Sequence, residues 1–151
     1  PTVYIFKPLK FKNKREMSKY YKLVRDVKKV LPISKEINRA IIETYEYLQT
    51  LPNQKERQKH LQAVEKGLKE QYTPQMKKLS FAQGKLLIKL VDRQTNSTTY
   101  ELVKAFMGPF KAGFYQTFAA LFGASLKKQY DPAGDDALTE RVILMVESGQ
   151  L

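Results

Sequence analysis

The chain has 151 residues, with 27 Lys or Arg against 15 Asp or Glu and a formal net charge of +12. That length fits one domain with its own core, burying about 68–70% of the unfolded surface, and a 42% hydrophobic content argues against a disordered chain. The absence of Cys excludes disulfides, thiolate metal sites and cysteine nucleophiles, and a single histidine, His60, excludes multi-histidine metal centres.

Val3-Tyr4-Ile5-Phe6 is a short β-prone run cut off by Pro8. Alone it is not a stable strand, so it either lies along helices, pairs with a second chain, or stays a disordered arm. Residues 1–13 read as an extended basic arm and residues 14–149 as a single helical domain. Charge is concentrated here: from Lys7 to Lys29 ten Lys or Arg stand against Glu16 and Asp26 alone, whereas residues 129–151 set Arg141 against five acids.

From Arg15 a helical period is plain. Tyr20, Leu23, Val24, Val27, Val30 and Leu31 share one face and Ile33, Ile37, Ala40, Ile41, Tyr45 and Leu48 continue it. Pro32 falls inside this run. With no Gly or turn cluster beside it, the pattern predicts one kinked helix over about 15–50. Leu51-Pro52-Asn53 is the first break, and Asn53 is placed to cap a second long helix reaching about Tyr72, with Leu61, Val64, Leu68 and Tyr72 inward. Its mixed-sign outer face is a solvated one. Thr73-Pro74 predicts a further bend.

Residues 80–123 hold eight of the 17 aromatics. Ser80 and Gln83 have capping-box spacing. The helix they open is apolar nearly all round, with only Lys85, Lys89 and Asp92 or Arg93 as a polar stripe, as in a buried core helix. A turn is predicted at Thr95-Asn96-Ser97, a second helix from Thr98 to about Phe106, a left-handed Gly108 and a third helix from Pro109 to Phe122. This last segment is shorter than the ~20 residues that cross a bilayer. After a linker, a final helix over about 136–147 carries Leu138, Val142, Leu144, Met145 and Val146. The fold class is therefore all-α: a single domain of five to seven helices, two long antiparallel ones packed on an apolar three-helix unit.

Few residues point to chemistry. Asp131, Asp135 and Asp136 lack EF-hand spacing and read as a turn with a helix N-cap. Asp92 and Glu101 are the one pair of carboxylates placed for acid–base work, although Arg93 between them and the capping position of Glu101 favour an ion pair or a cap. Ser80 is accounted for by capping, and no phosphate loop, dinucleotide fingerprint or zinc spacing occurs. No catalytic residue, metal ligand or cofactor is assigned.

The run from Lys78 to Thr95, followed by Tyr100-Glu101-Leu102-Val103, resembles an uncharacterised bacterial family of unknown function. Tyr21 to Val30 and Leu126 to Pro132 match it as well, so the resemblance spans about residues 10–149. It implies a helical domain and, in most members, an N-terminal export signal, with no activity to carry over. Tyr115 stands where the family pattern has Trp. The start at Pro1, without Met, then reads as a trimmed leader, and the implied location is the periplasm or cell envelope, with the cytoplasm as the alternative.

Three functions follow. The foremost is a non-catalytic exported domain that binds anionic lipid, glycan or an envelope protein through Lys10, Lys12, Lys14, Arg15, Lys19 and Lys22. A cytoplasmic nucleic-acid-binding domain would use the same charge with steep salt dependence. An enzyme using Asp92 and Glu101 is the third.

Overall fold

The computed structural model describes residues 2–97, 112–113, 115–123 and 129–151. Helix α1 spans Lys14–Leu48, α2 spans Gln54–Lys77 and α3 spans Phe81–Ser97. Helical residues 115–122 form α4, and α5 spans Ala137–Glu147. No strand occurs among the described residues. The chain is an all-α single domain.

Each long helix begins at an asparagine. The Glu16 N–H donates to Asn13 Oδ1 and the Glu56 N–H to Asn53 Oδ1, both at 2.9 Å. The caps satisfy N–H groups that have no partner within their own helix. At α3 the capping box closes in both directions: Gln83 N–H donates to Ser80 Oγ at 3.2 Å and Ser80 N–H to Gln83 Oε1 at 3.1 Å.

Pro32 lies within α1, as the unbroken apolar face requires. It is exposed, and so is Lys28, whose carbonyl loses its donor. Water can therefore take the place of the missing N–H. The Ser34 hydroxyl adds a bond back to the Leu31 carbonyl at 2.8 Å.

Two expected boundaries differ. The second helix, expected to reach about Tyr72, runs on through Thr73 and Pro74 to Lys77. Pro74 and Glu70, the residue one turn back, are both exposed, so the freed carbonyl again faces solvent. The turn expected at Thr95-Asn96-Ser97 is helical, because three mediocre helix formers cost only a few tenths of a kcal/mol each once a helix is nucleated. The restart from Thr98 to Phe106, Glu101 and Gly108 lie outside the described residues.

The core joins all five helices. Val27, Val30, Ile37 and Ile41 of α1 meet Leu87, Ile88 and Leu90 of α3, with Leu68, Tyr72 and Met76 of α2, Phe118 of α4, and Val142 and Ile143 of α5. Burying each such large side chain contributes about 1.5–3 kcal/mol. Among α1, α2, α3 and α5, as far as the described residues go, packing of α1 on α3 is the most extensive, α5 on α1 next, and α2 on α1 slight. The final helix turns inward on Val142 and Ile143, whereas Leu138 is 42% exposed. Gly84 lets α4 approach α3: a Cβ there would lie 2.7 Å from the Phe122 ring.

Helix ends use glycine where the backbone turns left-handed. Gly123 follows α4 with φ +68° and its N–H bonds the Ala119 carbonyl. At the end of α5, Gly149 has φ +78°, its N–H bonds the Val146 carbonyl, and the Gln150 N–H bonds that of Met145. This is a Schellman closure.

Candidate anion-binding site

Residues 2–12 are neither helix nor strand, yet they lie against the helices. Leu9 and Phe11 pack on the core, with the Phe11 ring centroid 5.3 Å from that of Tyr20. The Arg141 guanidinium sits 5.1 Å from the Phe6 ring centroid and donates to the Lys7 carbonyl at 2.6 Å. The Gln150 amide, from the end of the Schellman closure, donates to the Tyr4 carbonyl at 3.1 Å. Val3 and Ile5 point outward, 78% and 91% exposed.

The cations named from the sequence follow one another along this path and the start of α1. Lys10 and Lys12 lie exposed along the arm, Lys14 and Arg15 in the first turn of α1, and Lys19 and Lys22 further along it. None of the six takes part in an ion pair among the described residues. Arg15 and Lys19 border a shallow depression with Asn13 and Glu16.

The tertiary structure adds two lysines to this set. Lys19 and Lys22 form one wall of an open groove of about 260 Å³, and Lys85 and Lys89 of α3 form the other. Leu23, Ala82 and Leu86 supply apolar lining, and Asp26 and Thr139 complete it. Lys10, Lys12, Lys14 and Arg15 do not line this groove. Helical spacing already put Lys85 and Lys89 on one stripe of α3. What the spacing could not show is that the stripe faces Lys19 and Lys22 across the α1–α3 contact.

Two interactions fix the groove. Asp26 is 9% exposed, and its Oδ1 accepts the Gln83 side-chain amide at 3.1 Å, which ties the α3 capping box to α1. Lys89 Nζ meets Asp136 Oδ1 at 2.5 Å, and Asp136 Oδ2 accepts the Asp131 N–H at 2.8 Å. Asp136 stands at the start of α5 but makes no side-chain cap there. Its carboxylate serves the ion pair instead.

The remaining sequence candidates are occupied by structure. Asp92 is 1% exposed and accepts the Tyr130 N–H, so Arg93 rather than Asp92 completes the polar stripe of α3. Arg93 Nε bonds both Glu140 oxygens, at 2.7 and 3.0 Å, and its Nη1 reaches Glu147 at 3.7 Å. Burial disfavours the Arg93 charge, but the bond to Glu140 and the charges of Glu140 and Glu147 raise its pKa overall. Tyr130 completes this cluster by donating its hydroxyl to Glu140 at 2.9 Å. His60 is half-buried against Tyr47, with ring centroids 4.5 Å apart. Among the described residues no group of three or more His, Cys, Asp or Glu is arranged to hold a metal ion, and no helix is long and apolar enough to cross a membrane.

Residues 1–145 match the model of the family described as Domain of unknown function (DUF4294). The chain belongs to that family. The DUF4294 match takes in the arm, the basic helix α1 and the α3 capping box together, so the groove lies wholly within the family domain. Neither the curated proteins nor the solved structures contain a match to the chain.

Proposed function

We propose that this chain is a non-catalytic helical domain of the cell envelope that binds an anionic surface through its basic N-terminal region. The observation that carries the reading is the grouping of Lys10, Lys12, Lys14, Arg15, Lys19 and Lys22, exposed and outside any ion pair among the described residues, on an arm and helix held in place by Arg141, Gln150 and the core. An arm docked in this way presents its charges without the ordering cost a flexible tail would incur on binding. Each Lys or Arg close to an anionic membrane surface contributes about 1 kcal/mol. Asp92, the carboxylate an acid–base enzyme would need, is instead buried and bonded to a backbone N–H, which gives catalysis no support.

The test is sedimentation of the chain with vesicles of phosphatidylglycerol in phosphatidylcholine, alongside a variant with all six cations changed to Gln. The wild type co-sediments at low salt and the variant stays in solution. Equal sedimentation of both would refute the surface. Fractionation of the producing cells checks location. Recovery from the cytoplasm, with salt-sensitive retention of nucleic acid, would move the same charges to a nucleic-acid role.

A further inference from the structure

We infer that the groove between α1 and α3 is a discrete site for a small phosphate ester bearing free hydroxyls. That chemistry is shared by a polyol-phosphate lipid head group and a free polyol phosphate. The inference deepens the surface-binding reading, and it rests on that reading only for the source of the phosphate.

Three lysines outside any ion pair among the described residues line the groove. Lys19 and Lys22 stand one turn apart on α1 and Lys85 opposite them on α3, all exposed. Lys89 is the fourth lysine of the lining, but its Nζ is committed to Asp136. A phosphate monoester accepts several charge-assisted bonds at once, and three ammonium donors match that demand. Leu23, Ala82 and Leu86 displace water from one side of the site, which strengthens each of those bonds.

Asp26 gives the site its selectivity. A carboxylate among lysines weakens the binding of a bare anion, so a groove made for inorganic phosphate would do better without it. The same carboxylate favours a ligand that brings hydroxyl donors. Oδ1 is held by Gln83, leaving Oδ2 and the Thr139 hydroxyl to meet the ligand's own hydroxyls. The groove, about 260 Å³, falls below the ~300–1,000 Å³ typical of drug-sized ligands and suits a head group.

The experiment titrates the full chain with glycerol 3-phosphate and with inorganic phosphate, by calorimetry or by amide chemical shifts. Wild type prefers glycerol 3-phosphate. Lys85→Gln weakens both ligands about tenfold, the loss of one charge-assisted contact, and Lys28→Gln with Lys29→Gln, on α1 outside the groove, changes neither. Asp26→Asn keeps an oxygen for the Gln83 amide, so the fold survives; it tightens inorganic phosphate and abolishes the preference. Equal affinity of wild type for the two ligands, or equal losses from the groove and control variants, overturns the site.

Phosphatidylglycerol vesicles separate the sources. Vesicle binding that glycerol 3-phosphate competes away, and that Lys85→Gln weakens, identifies the head group. Binding of glycerol 3-phosphate without vesicle binding leaves this site standing as one for a free ester and refutes the surface reading. Vesicle binding indifferent to both glycerol 3-phosphate and Lys85→Gln leaves the surface reading intact; the groove then stands as a site for a free ester where glycerol 3-phosphate binds it in solution, and is overturned where it does not.

Discussion

The Gln83 side chain donates its amide to Asp26 at 3.1 Å while its oxygen accepts the Ser80 N–H. One side chain therefore starts α3 and fastens it to α1. Gln83→Ala removes both functions, at an expected cost of about 1–3 kcal/mol for a lost cap plus a lost bond to a charged group. Gln83→Glu isolates the second function, since Glu keeps the capping oxygen but sets a carboxylate against Asp26. It destabilises the chain, and Asp26→Asn in the same chain restores stability. Urea denaturation of the four members of this cycle measures the coupling; additive effects would show that the two side chains do not act on each other.

This contact also marks the limit of what the sequence discloses. The Ser80–Gln83 box, the Asn53 cap, the Pro32-containing helix and the inward Leu68 and Tyr72 are local patterns, and all are present. In the sequence Asp26 is one more charge on a basic helix. Its burial depends on an amide 57 positions away, which no local period encodes. Lys85 and Lys89 likewise had their stripe but not the wall that faces it. The helix end near Tyr72 and the turn at Thr95-Asn96-Ser97 are helical instead, because turn-forming side chains weigh little against helices already nucleated.

Asp136 tests the value of the ion pair beside the groove. Its side chain is 4% exposed, against 24% for Lys89. Lys89→Met leaves the carboxylate with the Asp131 N–H alone, and the cost is about 2–3 kcal/mol, less than for a wholly buried pair because Lys89 keeps some contact with water. Lys85→Met, four residues away and exposed, stays within about 0.5 kcal/mol of wild type. Denaturation midpoints of the two variants decide this. Equal midpoints would mean that the Lys89–Asp136 pair contributes nothing net.

Three tyrosines make the fold sensitive to alkali. Burial, then the Asp92 charge, pushes the Tyr115 phenol up to about 12 from its ordinary 10. Tyr130 is raised further, by burial first and then by its bond to Glu140, and Tyr72 is raised by burial and Glu36. Each folded value lies above the unfolded one, so this stabilisation is complete below pH 10 and is lost as pH rises through the folded values. Tyr130→Phe keeps the ring in the core and removes one titrating group. At neutral pH it costs about 1 kcal/mol for the lost Glu140 bond, and its stability falls less steeply above pH 10 than that of wild type. Urea midpoints across a pH series, with tyrosinate absorbance in parallel, give both quantities; parallel slopes would contradict the shift at Tyr130.

Pro74 sits inside α2, three residues from its end, where helix propensity argues against it. It denies the Glu70 carbonyl a donor, and the Thr73 hydroxyl bonds the neighbouring Lys69 carbonyl at 2.6 Å without replacing that loss. Pro74→Ala restores the backbone bond and removes the ring's clash with the preceding turn, worth about 3 kcal/mol in a helix interior. Two effects reduce the gain. The proline lies in the last turn of α2, and the unfolded chain recovers about 0.4–1 kcal/mol of entropy when proline is removed. The expected net stabilisation is about 1–2 kcal/mol, with a small rise in helical circular dichroism. A loss of stability would mean that α2 needs the backbone geometry Pro74 imposes to bring Met76 into the core. In that case the proline would be shaping the packing of α2, and Met76→Ala would no longer add its full cost in the Pro74→Ala background.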